Sequence, residues 1–270
     1  MSLLTAAPTP TTVQSLGRGL QLLRLFTRER PELALANCAE LLGLSAPTTY
    51  RLLNTLEGER FLERDPGSGA YRLALGLLEL LPPLLDGLGV ARLAQPPIAG
   101  LAQATGESAN LATLEEGRVL YLVSAPSERL LRIETPPGLR LEAHCTALGK
   151  CLLAQLPDGV ARSLLGPQPY RALTARTLTT WAELERELGT IRRRGYALSE
   201  GELEDGLSSC AVGLPAGLGR PYAINVSSPS SRMSRRLARE RFVAPLQQAA
   251  EEIGGLIGLL DFEGEQTARR

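Results

Sequence analysis

The chain has 270 residues, 44% of them hydrophobic, and its 29 basic residues balance its 29 acidic residues. That length suffices for one large domain or two ordinary domains with buried cores. The zero net charge excludes a chain that is basic throughout, so any surface for nucleic acid has to be local.

Residues 1–12 are rich in threonine and proline, and they lack both the basic segment and the long apolar run of a secretory signal. We expect a disordered tail there. The most apolar run, residues 73–88, is interrupted by prolines and acids, so it falls short of the roughly 20 apolar residues of a membrane span. These features predict a cytoplasmic protein that does not enter the membrane and whose four cysteines stay reduced.

Three short helices are predicted after this tail. The first covers residues 14–29, and its apolar residues recur at helical spacing. The residues expected on its buried face are Leu16, Leu20, Leu23 and Phe26. A polar break at residues 30–32 precedes a second helical segment, residues 34–42, which Gly43 ends, and Ser45 then opens a third helix as a good N-cap. The tight glycine turn between the last two helices completes a helix-turn-helix pattern.

The third helix has one face suited to DNA. Rotation by about 100° per residue places its leucines and Thr49 together on the other, buried face. Since residues 41–55 contain one arginine and no acid, the helix meets no like-charge penalty near phosphates. The residues expected to approach the major groove are Ser45, Pro47, Thr48, Tyr50, Arg51 and Asn54.

Two short strands, FLERD and AYRLA, follow, and PGSG between them is a hairpin signal. Three helices and a basic hairpin predict a winged helix-turn-helix, in which Arg64, Tyr71 and Arg72 hold the wing to the DNA backbone. The same pattern also suits a protein-interaction module, because helix-turn-helix patterns recur in unrelated folds.

Five segments of the chain occur in the order and spacing of one known family. They are QSLGRGL, AELLGLSAPTTYRLLNTLEGERFLERDPGSGAYRL, HCTALGKCLLAQLP, RRRGYALSEGELEDGLSSCAVGLPA and INVSSPSSR. Together, from Gln14 to about Gly258, they resemble the IclR family of bacterial transcriptional regulators. The resemblance implies a multi-domain α/β protein with an N-terminal winged helix-turn-helix, a linker helix and a C-terminal GAF-like α/β effector-binding domain. We also count Arg18, in the first segment, among the DNA-binding residues.

The domain boundaries expected on this basis follow the chain. They are a tail over residues 1–12, the winged helix-turn-helix over 13–75, a linker helix over 76–94, an effector-binding and oligomerisation domain over 95–262 and a flexible tail over 263–270. Pro82 and Pro83 should kink or split the linker. The partners implied by the resemblance are double-stranded DNA with a palindromic operator, a small carboxylic or aromatic acid as effector, and further copies of the chain in a homodimer or a dimer of dimers. No cofactor and no metal are expected.

The second domain alternates strands and helices. A hairpin should turn at Glu116 and Gly117, residues 181–194 form an amphipathic helix, and PYAINVSS is a strand. The last helix, about residues 233–253, carries a run of arginines that we interpret as a solvated face.

The segment HCTALGKC, residues 144–151, holds the only histidine and the only lysine of the chain. Its C-x5-C spacing differs from that of structural zinc sites, and adjacent His144 and Cys145 point to opposite faces of an extended segment. The backbone is the better candidate, because Thr146 can cap a helix whose first amides, at Ala147 and Leu148, bind a carboxylate. The histidine and the lysine are expected to serve packing and helix geometry.

The resemblance also implies the rest of an effector pocket. The corresponding residues here are Ser199, Ser209, Asn225 and Ser227. Ser199 replaces the acidic residue usual in the family, and Ser209 stands at a position often held by cysteine. A neutral pocket rich in hydroxyl and amide groups suits a larger or hydroxylated effector, although serines also serve commonly at turns and strand edges.

These observations predict a ligand-responsive transcriptional regulator, a repressor of a nearby metabolic operon, that is not an enzyme. Two alternatives stay open. One is a redox- or metal-sensing regulator that uses cysteines on the same scaffold, and the other is a cysteine-dependent hydrolase or transferase.

Overall fold

The structure is a computed structural model that describes residues 13–27, 29–80, 89–215 and 220–268, with side chains up to residue 257. The chain divides into two compact units, Met1–Gly87 and Leu88–Arg270.

The first unit is a winged helix-turn-helix. Its elements are α1 (Gln14–Leu23), β1 (Glu32–Leu33), α2 (Leu35–Leu42), α3 (Ala46–Gly58), β2 (Leu62–Arg64) and β3 (Tyr71–Leu73). Gly43 adopts the left-handed conformation (φ 62°) that closes the tight turn between α2 and α3. The predicted fold is confirmed, but the polar break before α2 contains a strand, because β1 pairs with β3 and makes the wing a three-stranded antiparallel sheet in the order β1-β3-β2.

Helix α1 is shorter than predicted, and its buried side is different. It ends at Leu23, and the chain then turns so that Phe26 enters the core beside Leu22. Leu16 and Leu20, expected to be buried, are 64% and 50% exposed. The prediction was wrong for these two residues because the small unit has a single core. The side of α1 that packs against this core contains Gly19 and Leu22, and Leu16 and Leu20 lie on a different side.

The segment between the units differs from the predicted linker helix over residues 76–94. Leu75–Leu80 form a 3₁₀ helix, and the next helix, α4, runs over Gly89–Thr105. Residues 81–88, with Pro82 and Pro83, lie outside the described residues. Helix α4 extends eleven residues beyond the predicted end because Ile98 and Leu101 bury its second half against the sheet of the second unit.

The second unit is built on one antiparallel sheet. Its strands are β4 (Ser108–Glu115), β5 (Arg118–Ala125), β6 (Arg140–Glu142), β7 (Ala197–Glu200), β8 (Leu207–Gly213) and β9 (Tyr222–Pro229), in the order β6-β5-β4-β9-β8-β7. The predicted hairpin between β4 and β5 is confirmed, and Glu116 and Gly117 both adopt positive φ at its turn.

Helices cover both faces of this sheet. They are α4 with α8 (Arg235–Leu237) and α9 (Val243–Ala268) on one face, and α5 (Ala147–Ala154), α6 (Asp158–Leu165) and α7 (Trp181–Arg194) on the other. Each face has its own hydrophobic core, and together the three layers confirm the predicted C-terminal α/β domain. Within the described residues, the structure has no helix both long and apolar enough to cross a membrane.

The predicted last helix is interrupted and longer than expected. A π-helical turn at Ala238–Phe242 separates α8 from α9, which continues to Ala268. Phe242 is 2% exposed, so the widened turn accompanies the burial of a large ring against the sheet.

Candidate DNA-binding and effector sites

The face of α3 predicted to approach DNA is solvent-exposed. Pro47, Tyr50, Arg51 and Asn54 are exposed, whereas Leu53 and Thr49 are fully buried on the opposite side. The Thr49 hydroxyl donates to the Ser45 carbonyl at 3.1 Å, which fastens the first turn of the helix.

The start of α3 differs in one detail from a standard capped helix. The hydroxyls of Ser45 and Thr48 hydrogen-bond to each other at 2.9 Å, so the Ser45 side chain does not cap a backbone amide. Two hydroxyls therefore stand together at the N-terminal end of the exposed face, where recognition helices contact DNA. Within the described residues Arg51 has no acidic partner, so its charge is available to an external anion.

The structure corrects part of the predicted wing contact. Tyr71 is 1% exposed and belongs to the core of the first unit, so it cannot hold the wing to DNA. Its side chain points inward because alternate strand residues face opposite sides of the sheet.

The predicted DNA-binding arginines differ in how free their charges are. The Arg64 guanidinium lies over the Tyr71 ring, 5.6 Å from its centroid, and stays exposed. Arg72 is exposed but pairs with Glu63 at 2.5 Å and Glu32 at 3.8 Å, so its charge is largely compensated. Arg18 is half-buried on α1.

The polar residues predicted for the effector pocket meet on one face of the sheet. Ser199 pairs with Ser209 across β7 and β8, and Ser209 pairs with Ser227 across β8 and β9. Asn225 lies two residues before Ser227, on the same side of β9. These four residues, with Thr146 at the start of α5, line a cavity of about 30 Å³. The apolar part of its wall comes from Tyr121, Ile133, Leu141, Leu203 and Leu207.

A hydrogen-bond chain that sequence reasoning missed runs along this cavity. The Thr135 hydroxyl donates to Asn110 Oδ1 at 2.7 Å, Asn110 Nδ2 donates to Asn225 Oδ1 at 3.0 Å, and Asn225 Nδ2 donates to Ser227 Oγ at 2.8 Å. Asn110 stands opposite Asn225 in the register of β4 and β9. An asparagine in the middle of an apolar strand was the available signal, because amides are rarely buried without a partner.

Helix α5 begins at the cavity. The Thr146 hydroxyl accepts from the Gly149 amide at 3.0 Å, which confirms the predicted cap. The amides of Ala147 and Leu148 donate to no group in the described part of the chain, while their side chains pack into the core and the cavity is lined here by Thr146. The first turn therefore presents two unpaired amides and the positive end of the helix dipole beside the cavity.

The other side chains of HCTALGKC are engaged elsewhere. His144 is 3% exposed, with Nε2 3.0 Å from the Arg171 carbonyl and its ring 5.4 Å from that of Tyr170. Burial raises the pKa of the Cys145 and Cys151 thiols to about 12, and that of Cys210 likewise. Thiols of that kind are poor nucleophiles and poor redox sensors, because the thiolate is the reactive form. Among the described residues no cluster of three or more metal-ligating side chains occurs.

Lys150 departs from its predicted role. Its side chain is 2% exposed, and Nζ donates to Glu202 Oε1 at 2.5 Å. It therefore forms a buried ion pair with the loop between β7 and β8 rather than serving only packing and helix geometry.

Comparison with known proteins assigns both units. Residues 15–66 match the IclR helix-turn-helix domain, and residues 83–254 match the family described as Bacterial transcriptional regulator IclR C-terminal. The Pca regulon regulatory protein of Pseudomonas putida is 32% identical over 246 residues, which cover 90% of this chain and 84% of the relative. The HTH-type transcriptional regulator XynR of Escherichia coli (strain K12) is 30% identical over 248 residues, covering 91% and 98%.

The chain belongs to the IclR family of bacterial transcriptional regulators. It is thus a DNA-binding regulator, and the family is one of transcription factors rather than enzymes.

Solved structures agree with this assignment. A transcriptional regulator from Rhodococcus sp. RHA1 superposes with a TM-score of 0.81 at 29% identity, and the match covers 92% of this chain and 100% of the regulator. An IclR homologue from Microbacterium hydrocarbonoxydans, in complex with 4-hydroxybenzoate, has a TM-score of 0.79 at 24% identity and covers 91% of this chain and 100% of its own. This second likeness concerns the fold alone.

Proposed function

We propose that this IclR-family protein is a ligand-responsive repressor that binds a palindromic operator and leaves it when a small carboxylate enters the second domain. The observation that carries the proposal is that the backbone amides of Ala147 and Leu148 have no hydrogen-bond acceptor among the described residues. Both lie at the start of α5, beside a polar cavity. Such a helix start favours an anion without any basic side chain.

The cavity chemistry supports a neutral recognition site around that carboxylate. Hydroxyls and amides both donate and accept, and the cavity offers both groups from strands β7 to β9. Its volume of about 30 Å³ is far below the roughly 300–1,000 Å³ of sites for drug-sized ligands. An effector larger than a few atoms therefore requires the cavity to open.

The DNA surface is proposed to be the exposed face of α3 with the wing tip. Its residues are Ser45, Pro47, Thr48, Tyr50, Arg51, Asn54 and Arg64, and Arg18 on α1 is proposed to add a contact. The support is the exposure of this face and the uncompensated charge of Arg51. Because residues 15–66 match the IclR helix-turn-helix domain, we favour DNA binding over the alternative of a protein-interaction module.

A homodimer or a dimer of dimers is proposed as the DNA-binding form. A palindromic operator requires two copies of α3, and the exposed leucines of α1, Leu16 and Leu20, are apolar surface that a second copy would cover. Helix α4 is the first helix of the second unit in chain order and is buried against the effector-domain sheet. A change in the packing of that sheet would therefore move this helix, and we propose that the chain passes the movement on to the DNA-binding unit.

The test uses gel-shift titration on the DNA flanking the gene, at fixed salt, with acetate and 4-hydroxybenzoate as probe carboxylates. At least one probe should weaken operator binding in the wild type, and Asn225→Ala should lose most of that response while binding free operator normally, because it removes the amide that links Asn110 to Ser227. Ser163→Ala, at an exposed position on α6, is the control and should respond like the wild type. If Asn225→Ala responds like the wild type, the effector does not use this cavity.

A further inference from the structure

The loop that joins β7 to β8, Gly201–Gly206, closes one side of the effector cavity. Leu203, in the loop, and Leu207, directly after it, both line the cavity. Gly201 and Gly206 mark the two ends of the loop, with φ of 69° and 84°. Glycine adopts this region readily, whereas other residues are strained in it, so both ends of the loop are suited to a change of backbone direction.

The first half of this 201–206 loop is held by hydroxyl groups from one neighbouring segment. The Thr174 hydroxyl donates to the Gly201 carbonyl at 2.6 Å, and the Thr177 hydroxyl donates to the Glu202 carbonyl at 2.6 Å. The second half, Glu204 to Gly206, is exposed. The Gly206 carbonyl at the end of this half accepts from the Ser230 amide at 2.7 Å. The loop is therefore fastened at Gly201 and Glu202 and again at Gly206, on either side of the leucine that lines the cavity.

An ion pair completes this attachment. Lys150 Nζ donates to Glu202 Oε1 at 2.5 Å, and the two side chains are 2% and 13% exposed. Glu187, at 3.9 Å, is the other carboxylate near Lys150, while Arg235 faces the neighbouring Glu200. Burial raises the pKa of Glu202, and the nearby Lys150 opposes that rise. Opening the loop would leave the Lys150 charge buried without its closest partner, which strongly disfavours the open form.

Space for an open loop exists on its outer side. A groove of about 630 Å³ runs past Lys150, Glu202 and Arg176. It lies on the side of the loop opposite Leu203, since that leucine lines the small cavity and Glu202 lines the groove. Movement of the loop into the groove would add the volume behind Leu203 to the cavity.

Helix α5 connects the Lys150–Glu202 ion pair to the proposed carboxylate site. Lys150 lies one helical turn after Thr146, and its amide donates to the Thr146 carbonyl at 3.0 Å. The same short helix thus begins beside the cavity, at Thr146, and directs its lysine to the loop.

We infer that the Lys150–Glu202 pair is a specificity-determining latch: it keeps Leu203 over the effector cavity, so that small carboxylates bind readily and bulky ones bind only after the loop is released. The inference rests on the proposed function, because it concerns the selectivity of the same site. Neither residue needs to touch the effector to exert this control.

The test compares the full-length wild type with the double variant Lys150→Met, Glu202→Gln. The double variant removes both charges together, so no unpaired buried charge remains to unfold the domain. The control is Arg118→Gln, Glu142→Gln, which removes an ion pair of 3.0 Å in the same domain, between β5 and β6. A further variant, Leu203→Ala, shortens the side chain over the cavity without altering the latch.

The first readout needs no ligand. Amide hydrogen exchange should be about tenfold faster at Gly201–Leu207 in the double variant, because exchange reports local opening, and unchanged in the control. Unchanged exchange in that segment of a folded double variant overturns the latch.

The second readout is the affinity for acetate and for 4-hydroxybenzoate, from thermal shift and calorimetry. The ratio of the two affinities should move toward 4-hydroxybenzoate by about tenfold, roughly 1.4 kcal/mol, in both the double variant and Leu203→Ala, and stay at the wild-type value in the control. Binding with an unchanged ratio overturns the size selection while leaving the proposed function standing. Absence of binding to every version, including the wild type, overturns the proposed effector function and the selectivity together.

Discussion

At the scale of single residues, Arg51 is the clearest test of the DNA-binding face. It is exposed on α3 with no acid paired to it among the described residues, so its guanidinium can meet a phosphate or a guanine edge. Arg51→Ala should weaken operator binding by about 1–3 kcal/mol if the contact is to a base.

The control for this substitution is Arg162→Ala, an exposed arginine of α6 in the other unit, because it removes the same charge from the whole protein. Gel-shift titrations at several salt concentrations separate the possibilities. A uniform loss with a shallower salt slope indicates a phosphate contact, and equal affinity for both variants and the wild type would remove Arg51 from the interface.

The family resemblance located the cavity serines, but not their partners. Ser199, Ser209 and Ser227 were placed by resemblance, and the strand register brings them into one row. Asn110 and Thr135 come from distant parts of the chain, and their contacts arise only when β4 is paired with β9 and the 126–139 segment folds over the sheet. Tyr71 was placed wrongly, because an aromatic residue in a basic hairpin is compatible either with a DNA contact or with a buried position. The strand register of β3 points its side chain into the core.

At the scale of elements, the start of α5 depends on a close backbone approach. A Cβ at Gly149 would lie 2.2 Å from the Ala143 carbonyl oxygen and 2.3 Å from its Cα. Gly149→Ala therefore has to push the helix away from residues 143–146, and we expect a loss of about 1–3 kcal/mol in the free energy of unfolding, together with weakened carboxylate binding.

Gly159→Ala is the matched control for this helix. Gly159 lies in the first turn of α6, and a Cβ there meets no atom within 4 Å. The substitution should stabilise the protein slightly, by up to about 1 kcal/mol, because alanine favours the helix. Urea unfolding followed by circular dichroism measures both variants, and equal stability of the two would contradict the proposed crowding at Gly149.

At the scale of the whole molecule, the two units have cores of very different size. The first unit buries a single small cluster around Leu22, Leu53 and Tyr71, whereas the second has a core on each face of its sheet. Since stability rises with the share of surface buried, we expect a fragment of residues 88–268 to fold alone, retain the thermal shift with carboxylates and lose operator binding.

Calorimetry and far-UV circular dichroism check the fragment. A fragment that lacks a cooperative transition would show that the second unit needs the first. A folded fragment that no longer responds to a carboxylate bound by the full chain would place part of the effector site outside residues 88–268.

The helix-turn-helix, the α/β domain, the capped start of α5 and the family are all predictable from the amino-acid sequence. These features rest on local signals: glycine turns, apolar periodicity, an N-cap and motifs of fixed spacing. Four features were not predictable: which side of α1 is buried, the third strand of the wing, the hydrogen-bond chain from Thr135 to Ser227, and the ion pair of Lys150 with Glu202. Each of these depends on residues far apart in the chain that meet only when strands pair and layers pack, and no periodicity along the chain encodes such a meeting.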